Sequence, residues 1–476
     1  MKDKSKHKII RKEIYIIAAF FALIFIAMIG YLINFVNKRS KEFIYNEYNS
    51  RFSVFADDVT RGNIYASDGT VIASTSKNEE RKEYRVYPDG SLFCHAVGYV
   101  GKGMAGLEAD YSFDLLKSNI PLEEQINNSL TGQKSPGDNL YTTLNYNVQK
   151  AAYDGLGSYD GAVIAIEPDT GKIVAMVSKP DYDPNNIAEE WEELTDESNK
   201  KSSLVNRATL GAYPPGSTFK IITSVAYLRF NGGSEEYSFN CRGSYKIGNY
   251  TIHCSGHKSH GKEDLKKAFS NSCNSAFANI GTTIDKKQFR ETADSFLFNQ
   301  ELPTMLKSTR KSVFKVDQSS SDQQAGQTAI GQGETSVSPL HMCMIVSAIA
   351  NNGTLMKPYL ADRIESTKGE VISKTTPAAY GQLLSTDEAA KLQDYMSSVV
   401  SEGTAKKVDF GDLEVYGKTG TAEYTTNKNL THSWFVGYST DASGKKLAVA
   451  VIMESAGSGS KFAAPLAADV LKAYYE

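Results

Sequence analysis

The sequence predicts an α/β protein carried on a membrane anchor, and three observations support that. Residues 14–33 form an uncharged run rich in Ile, Ala, Phe and Leu, the length a helix needs to cross a bilayer. Beyond residue 138, strand-like runs stand at both ends with helical patterns between them. That order fits one α/β unit whose sheet is completed by late strands. A chain of 476 residues also exceeds one ordinary core, so more than one domain is expected.

Six basic residues precede the apolar run (Lys2, Lys4, Lys6, Lys8, Arg11, Lys12) and three follow it (Lys38, Arg39, Lys41). The positive-inside bias then predicts a cytoplasmic tail over 1–13, an anchor over 14–36, and everything later outside the cell. A cleaved signal peptide would carry a shorter apolar stretch ending in small residues, and Val36-Asn-Lys-Arg39 offers no such site. The outer part divides into a stalk and small α+β pedestal over 37–137 and a main domain over 138–476. A net charge of −3 with no basic stripe gives no reason to expect nucleic acid. Five cysteines are too few for a disulfide framework in this length.

In order along the pedestal, Ile64-Tyr65 and Val71-Ile72 flank Asp68-Gly69, a hairpin signature. Gly101 to Asp110 is Gly-rich and leads into an amphipathic piece over 111–116, and 131–138 is a turn-rich joint. Helical spacing follows over 145–156. Two strands are then expected, split by the Pro-Asp-Thr-Gly turn at 168–171. Residues 180–210 read as a long polar loop. The helix after Ser217 gives way to a Gly- and Cys-containing excursion over 231–261, then a helical pair over 264–270 and 274–282. A buried helix is expected over 339–351, strands over 413–416, 433–438 and 447–453, and a last helix over 463–475.

The chemistry centres on Tyr213-Pro-Pro-Gly-Ser-Thr-Phe-Lys220, where a turn delivers Ser217 to the start of a helix. Lys220 then lies one turn further on the same face. Ser-x-x-Lys spacings occur ten times in the chain, so the spacing alone selects nothing. Two further motifs do. Ser272-Cys-Asn274 stands between two helices, and Lys418-Thr-Gly420, the one Lys-Thr-Gly in the chain, stands at the end of a strand. The order Ser-x-x-Lys, Ser-x-Asn, Lys-Thr-Gly is that of active-serine enzymes acting on β-lactams and D-Ala peptides.

Each residue type has a use in that order. A helix N-terminus gives Ser217 spare N–H groups for an oxyanion, and a buried Lys220 serves as base once its proton is lost. Ser272 relays a proton, and Asn274 both donates to and accepts from a peptide. Lys418 supplies a charge for a carboxylate, Thr419 and Thr421 supply hydroxyls, and the Thr421 N–H a second oxyanion donor. The bland alternatives are that Ser217, Ser272 and Asn274 are helix caps and that Lys418-Thr-Gly420 is a strand end.

Together with Arg61-Gly-Asn-Ile-Tyr-Ala-Ser-Asp-Gly-Thr-Val-Ile-Ala73, Gly106-Leu-Glu108, Ala329-Ile-Gly-Gln-Gly333 and Ser338-Pro-Leu340, these motifs give a family resemblance. The chain resembles a class B, monofunctional penicillin-binding protein, a membrane-anchored peptidoglycan D,D-transpeptidase. The resemblance implies an antiparallel sheet flanked by helices, as in β-lactamases, with an inserted helical subdomain. It also implies acylation of Ser217 by a stem peptide with release of D-Ala, attack by a neighbouring amine, and acylation by penicillin. It calls for no cofactor, and for a multi-spanning glycan polymerase as partner because no glycosyltransferase region is seen.

Three other functions were weighed. A β-lactamase would carry Glu-x-x-x-Asn between the second and third motifs, which is absent. A β-lactam sensor would need a cytoplasmic domain, and a D,D-carboxypeptidase differs only in using water as acceptor. Cys241 and Cys254 share a loop with His253, His257 and His260, open to three readings: a disulfide, a zinc site including His257, or a reduced pair. Cys94, Cys273 and Cys343 read as isolated buried thiols.

Overall fold

A helix from Lys2–Ile44 begins the chain, and its segment Ile14–Phe35 has a mean hydropathy of 2.8 with its side chains exposed. It is the one helix among the described residues long and apolar enough to cross a membrane. Residues 2–44, 57–424 and 430–476 are described in this computed structural model. The rest of the stalk, 45–56, lies outside them.

The main sheet has five antiparallel strands in the order Ile173–Lys179, Gly161–Ile166, Lys446–Met453, Thr431–Thr440, Glu414–Glu423. Late strands do complete it, pairing Val451 with Val163 across the middle. Gly161–Ile166 is apolar at every position, and Lys446–Met453 at every position after its first, because helices cover both faces. Ala162, Ile164 and Ile166 face Pro339–Ala350, while Val163 and Ala165 face Tyr146–Leu156 and Ala463–Tyr475. Two of the three covering helices are capped by the side chain that precedes them. Asn145 accepts from Val148 N, and Ser338, followed by Pro339, accepts from His341 N.

A second, six-stranded sheet runs Val371–Lys374, Ala361–Glu365, Asn139–Thr142, Ile64–Tyr65, Val71–Lys77, Glu83–Val86. The expected hairpin is there, with Gly69 at φ 88° and Ala66 N bonded to Thr70 O at 2.8 Å. Strands from both sides of residue 138 join in this sheet, and those from 361–374 gave no sequence signal. They are four or five residues long, and the outer one is exposed throughout, so neither carries an alternating pattern.

Two stretches expected to be loops are structured. Residues 180–210 contain the helices Ile187–Thr195 and Arg207–Leu210. The excursion at 231–261 forms two small antiparallel pairs, Phe239–Cys241 with Gly261–Glu263 and Ser244–Ile247 with Tyr250–His253. Polar composition concealed both, because their cores are borrowed from neighbours: Ile187 packs on Tyr99 and Tyr182.

The pedestal is pinned by one buried carboxylate. Glu108 is fully buried, and its two oxygens accept from Arg61 Nε at 2.7 Å and Arg85 Nε at 2.6 Å. Removing it leaves two guanidinium groups without their counter-charge. Glu108→Ala is expected to cost about 3–5 kcal/mol, seen as early proteolytic cleavage within residues 57–140. Wild-type resistance to protease would contradict it.

Candidate active site

The chain reaches Ser217 through a braced strap. Tyr213 exchanges backbone hydrogen bonds with Val337 at 2.9 and 2.8 Å, and Trp434 Nε1 donates to Pro214 O at 3.1 Å. Gly216 then turns at φ 53°, donating to Gly331 O at 2.9 Å. Ser217 lies in a tight 3-10 turn, Gly216–Phe219, and the α-helix proper is Lys220–Phe230. The α-helix therefore starts nearly a full turn later than the sequence suggested. Phe219 anchors the turn, fully buried against the rings of Phe289, Phe298 and Phe314. The Ser217 side chain is half-buried, and among the described residues it makes no hydrogen bond, leaving its hydroxyl open to the cleft.

Lys220 is fully buried. Its Nζ lies 2.7 Å from Ser272 O, 2.7 Å from Asn274 Oδ1 and 3.2 Å from Ser272 Oγ. Lys418, also fully buried, donates to Ser272 Oγ at 2.9 Å and to Thr419 O at 3.1 Å. Four of the five sequence-selected groups thus meet around one hydroxyl. Burial pushes the Lys220 ammonium down to about 8. Burial, with repulsion from Lys220 second, pushes Lys418 well below its ordinary value.

Ser272 itself is held at φ 55°, a left-handed conformation unusual outside glycine. It ends the helix Leu265–Ser270, with Ser272 N bonded to Phe269 O at 3.0 Å. Cys273 then caps the helix Asn274–Thr283, its sulfur accepting from Ala276 N. The abrupt junction between two helices is what turns Ser272 and Asn274 toward Lys220.

Lys418 does not end its strand, as expected, but sits mid-way along Glu414–Glu423. Residues 419–423 continue the ladder, pairing Thr419 with Phe435 and Glu423 with Thr431. This strand is the edge of the main sheet, so alternate N–H and C=O groups point away from it unpaired. Gln332, with its amide oriented to satisfy both atoms, bonds Glu423 N and O at 3.1 Å each. Two residues back, the Thr421 carbonyl faces Gly216, so the Thr421 N–H faces the Ser217 turn as well.

The groups open into a cleft of about 1350 Å³ lined by Ser217, Ser272, Asn274, Thr419, Gly420 and Thr421. Lys220 and Lys418 do not line it, since both amines are held behind Ser272. Several lining residues had no role in the sequence reading. Thr404 bonds Thr419 through their hydroxyls at 2.6 Å, and Gln332 straps the sheet edge. Gln332 was at least flagged by the Ala329-Ile-Gly-Gln-Gly333 motif; Thr404 carried no signal.

The cysteines depart from expectation. Cys241 and Cys254 are brought together, but with Cys273 and His260 and not with His257. His257 is exposed on the cleft rim against His253, ring centroids 4.4 Å apart. The hairpin folds its two cysteines inward onto the 273 helix start, so Cys273 is not isolated. Cys241 and Cys254 are free thiols 3.7 Å apart.

A five-stranded antiparallel sheet, with helices on both faces and a helical subdomain across its active-serine edge, is the fold of the penicillin-recognising acyl-transfer domains. Comparison with known proteins makes the assignment specific: the chain belongs to the penicillin-binding protein transpeptidase family. Residues 161–472 match the penicillin binding protein transpeptidase domain, and 61–140 match the penicillin binding protein A dimerisation domain. The chain is 32% identical to the peptidoglycan D,D-transpeptidase PbpA of Mycolicibacterium smegmatis, over 85% of this chain and 87% of that one. It is 31% identical to PbpA of Mycobacterium tuberculosis, over 87% and 88%. Among solved structures, an imipenem acyl-enzyme complex of penicillin-binding protein A from M. tuberculosis superposes with a TM-score of 0.80. That pair is 30% identical over 88% of this chain and 99% of the other.

The turn and the edge strand are packed to the limit at Gly216, where a Cβ would lie 2.7 Å from Thr421 O at a positive φ. Gly216→Ala must shift Ser217 relative to Thr421. A displacement of about 1 Å at such a site costs roughly a hundredfold in rate, so acylation by labelled penicillin should fall by about that factor. An unchanged rate would refute the tight coupling.

Proposed function

We propose that this protein is a peptidoglycan D,D-transpeptidase working through a Ser217 acyl-enzyme, which β-lactams also form. The observation that carries the reading is the Ser272 hydroxyl held between two buried amines beside the open Ser217 hydroxyl. Ser217 Oγ attacks the carbonyl of the penultimate D-Ala, and its proton passes to the free amine of Lys220. The oxyanion is met by the N–H groups of Ser217 and Thr421. On collapse the peptide C–N bond breaks, and the departing D-Ala nitrogen takes the proton back through Ser272. The amine of a second stem peptide then attacks the ester, loses its proton along the same route, and frees Ser217.

The hydrogen bonds accommodate a neutral Lys220 as well as an ammonium, whose three N–H groups would meet the same three oxygens. A free amine has two N–H groups, matched by the Ser272 and Asn274 carbonyl oxygens, and a lone pair, which can take the Ser272 O–H. Ser272 would in turn accept from Lys418. Ser217 lies outside this network in the free enzyme, as is common before substrate tightens a site. The buried position of Lys418 modifies its expected role. The substrate carboxylate is met by the Thr419 and Thr421 hydroxyls, with Lys418 contributing charge from behind them.

The basic residues ahead of the anchor favour a cytoplasmic N-terminus and an extracytoplasmic cleft. Glycan strands then come from a multi-spanning polymerase that contacts the anchor and pedestal. Failure of the two to co-purify, with harmless anchor swaps in cells, would remove that partner from the account.

Two experiments test the reaction. Given a stem-peptide donor and an acceptor amine, the protein should yield cross-linked product and D-Ala. D-Ala alone, even with the polymerase present, would make it a carboxypeptidase, and a penicillin adduct on Ser217→Ala would refute the nucleophile.

The second is pH dependence. The Lys220 amine is lowered to about 8, so its base form is lost as pH falls below that value. Acylation by labelled penicillin should drop about tenfold per pH unit below 8 and level off above it. Lys220→Ala should lose about a hundred- to ten-thousandfold above pH 8, with the gap to wild type narrowing as pH falls. A flat wild-type profile from pH 6 to 9 would remove Lys220 as the base.

A further inference from the structure

Behind the Ser-x-Asn motif, on the side away from Lys220's carbonyl partners, lies a cluster that the transpeptidase reaction does not use. Cys241, Cys254, Cys273 and His260 converge with all four ligand atoms within 4.8 Å of one another. Cys254 Sγ lies 3.7 Å from Cys241 Sγ and 3.7 Å from Cys273 Sγ, and His260 Nδ1 lies 3.4 Å from Cys241 Sγ. Around a tetrahedral zinc, with Zn–S of about 2.3 Å and Zn–N of about 2.0 Å, the edges come to roughly 3.8 Å for S···S and roughly 3.5 Å for S···N. The three measured edges fit that solid.

The surroundings suit thiolates. Each sulfur accepts a backbone N–H: Cys241 from Gly243 at 3.4 Å, Cys254 from Ser275 at 3.5 Å and Cys273 from Ala276 at 3.4 Å. Such donors stabilise the charged form of an acceptor, and neutral buried thiols have little need of them. Beside the cluster, Glu263 is 1% exposed, and its Oε2 is buried without a hydrogen-bond partner. Three buried sulfurs facing one space beside a buried carboxylate is a costly arrangement that a divalent cation relieves. A Cys241–Cys254 disulfide would satisfy two sulfurs and leave Cys273 and His260 unexplained.

The geometry points to a closed structural zinc site, Cys3His, formed by Cys241, Cys254, His260 and Cys273. Thiolate-rich tetrahedral sets favour Zn2+ over the hard cations. It would act on the active site by position. Cys273 sits between Ser272 and Asn274, and Asn274 Nδ2 donates to the carbonyl of His253, the residue before Cys254, at 3.0 Å. A metal joining Cys254 to Cys273 clamps the cleft-lining hairpin Tyr250–His253 to the start of the helix Asn274–Thr283. The ligands become positioning residues for Ser272 and Asn274.

Elemental analysis of the full-length protein in detergent should find about one zinc per chain. Zinc should fall at least about tenfold in Cys254→Ser and in His260→Ala and be retained in Cys94→Ala, which lies outside the cluster. Chelation should lower Tm by several degrees, reversed by adding zinc alone. Cobalt substituted for zinc should give thiolate-to-metal charge-transfer bands and the intense visible bands of a tetrahedral ion. The wild-type measurements stand even where a variant fails to fold. Wild-type protein with less than about one zinc per ten chains and no cobalt bands would overturn the site. So would a Cys241–Cys254 disulfide in the mass spectrum, or zinc unaffected in both ligand variants.

Discussion

The site depends on two lysine amines buried around a single serine hydroxyl. Lys220 and Lys418 are both wholly removed from solvent and both lie within hydrogen-bond distance of Ser272 Oγ. Two ammonium groups so placed would each lose several kcal/mol of hydration and repel one another. The fold answers with carbonyl oxygens from Ser272, Asn274 and Thr419 in place of carboxylates. Carbonyls can satisfy N–H groups without holding the amine charged. A carboxylate in the same position would raise the lysine pKa and keep the amine charged.

The rest of the domain delivers these groups to one place. Lys220 comes from the helix after the Ser217 turn, Ser272 from a left-handed junction between helices, and Lys418 from the middle of the edge strand. None is adjacent in sequence to the next, so their registration depends on the packing between elements. Phe219 ties the first helix into the aromatic cluster of Phe289, Phe298 and Phe314. Gly331 lets the Gly216 carbonyl approach so closely that a Cβ there would lie 1.9 Å from it. Close approach of backbone to backbone replaces side-chain bridges, which are softer.

Much of this was legible because it repeats local rules. The five strands of the main sheet, the helix over 463–475 and the Asp68-Gly69 hairpin follow from periodicity and turn chemistry, and the site residues follow from three motifs in order. What was not legible is non-local. The strands at 361–374 are too short and exposed to carry a pattern, and gain their place only by pairing Ile364 with Leu140. Lys418 read as a strand end because Thr-Gly-Thr resembles a turn; pairing with 431–436 overrides that. Thr404 lines the cleft beside Thr419 from a turn that belongs to none of the motifs. Cys273 read as an isolated thiol because its partners lie 19 and 32 residues away, at Cys254 and Cys241, across a hairpin that composition presented as a loop.

That last misreading bears on how the site holds its strain. Ser272 occupies a left-handed conformation costing of order 1–3 kcal/mol, and it persists only if its neighbours over-determine it. On one side are the two lysine amines, themselves destabilised by burial, which are weak restraints. On the other side is Cys273, whose sulfur accepts from Ala276 N and lies 3.7 Å from Cys254 Sγ. The restraint on the side away from the cleft is therefore the middle residue of the Ser-x-Asn junction, held by its sulfur and by Cys273 N bonded to Ala268 O at 2.9 Å. An apolar or acidic residue there could cap the helix or fill the space, but it could not tie the junction to the hairpin across the cleft. Cys273 thus belongs to the packing that places Ser272 and Asn274, from the side away from the cleft.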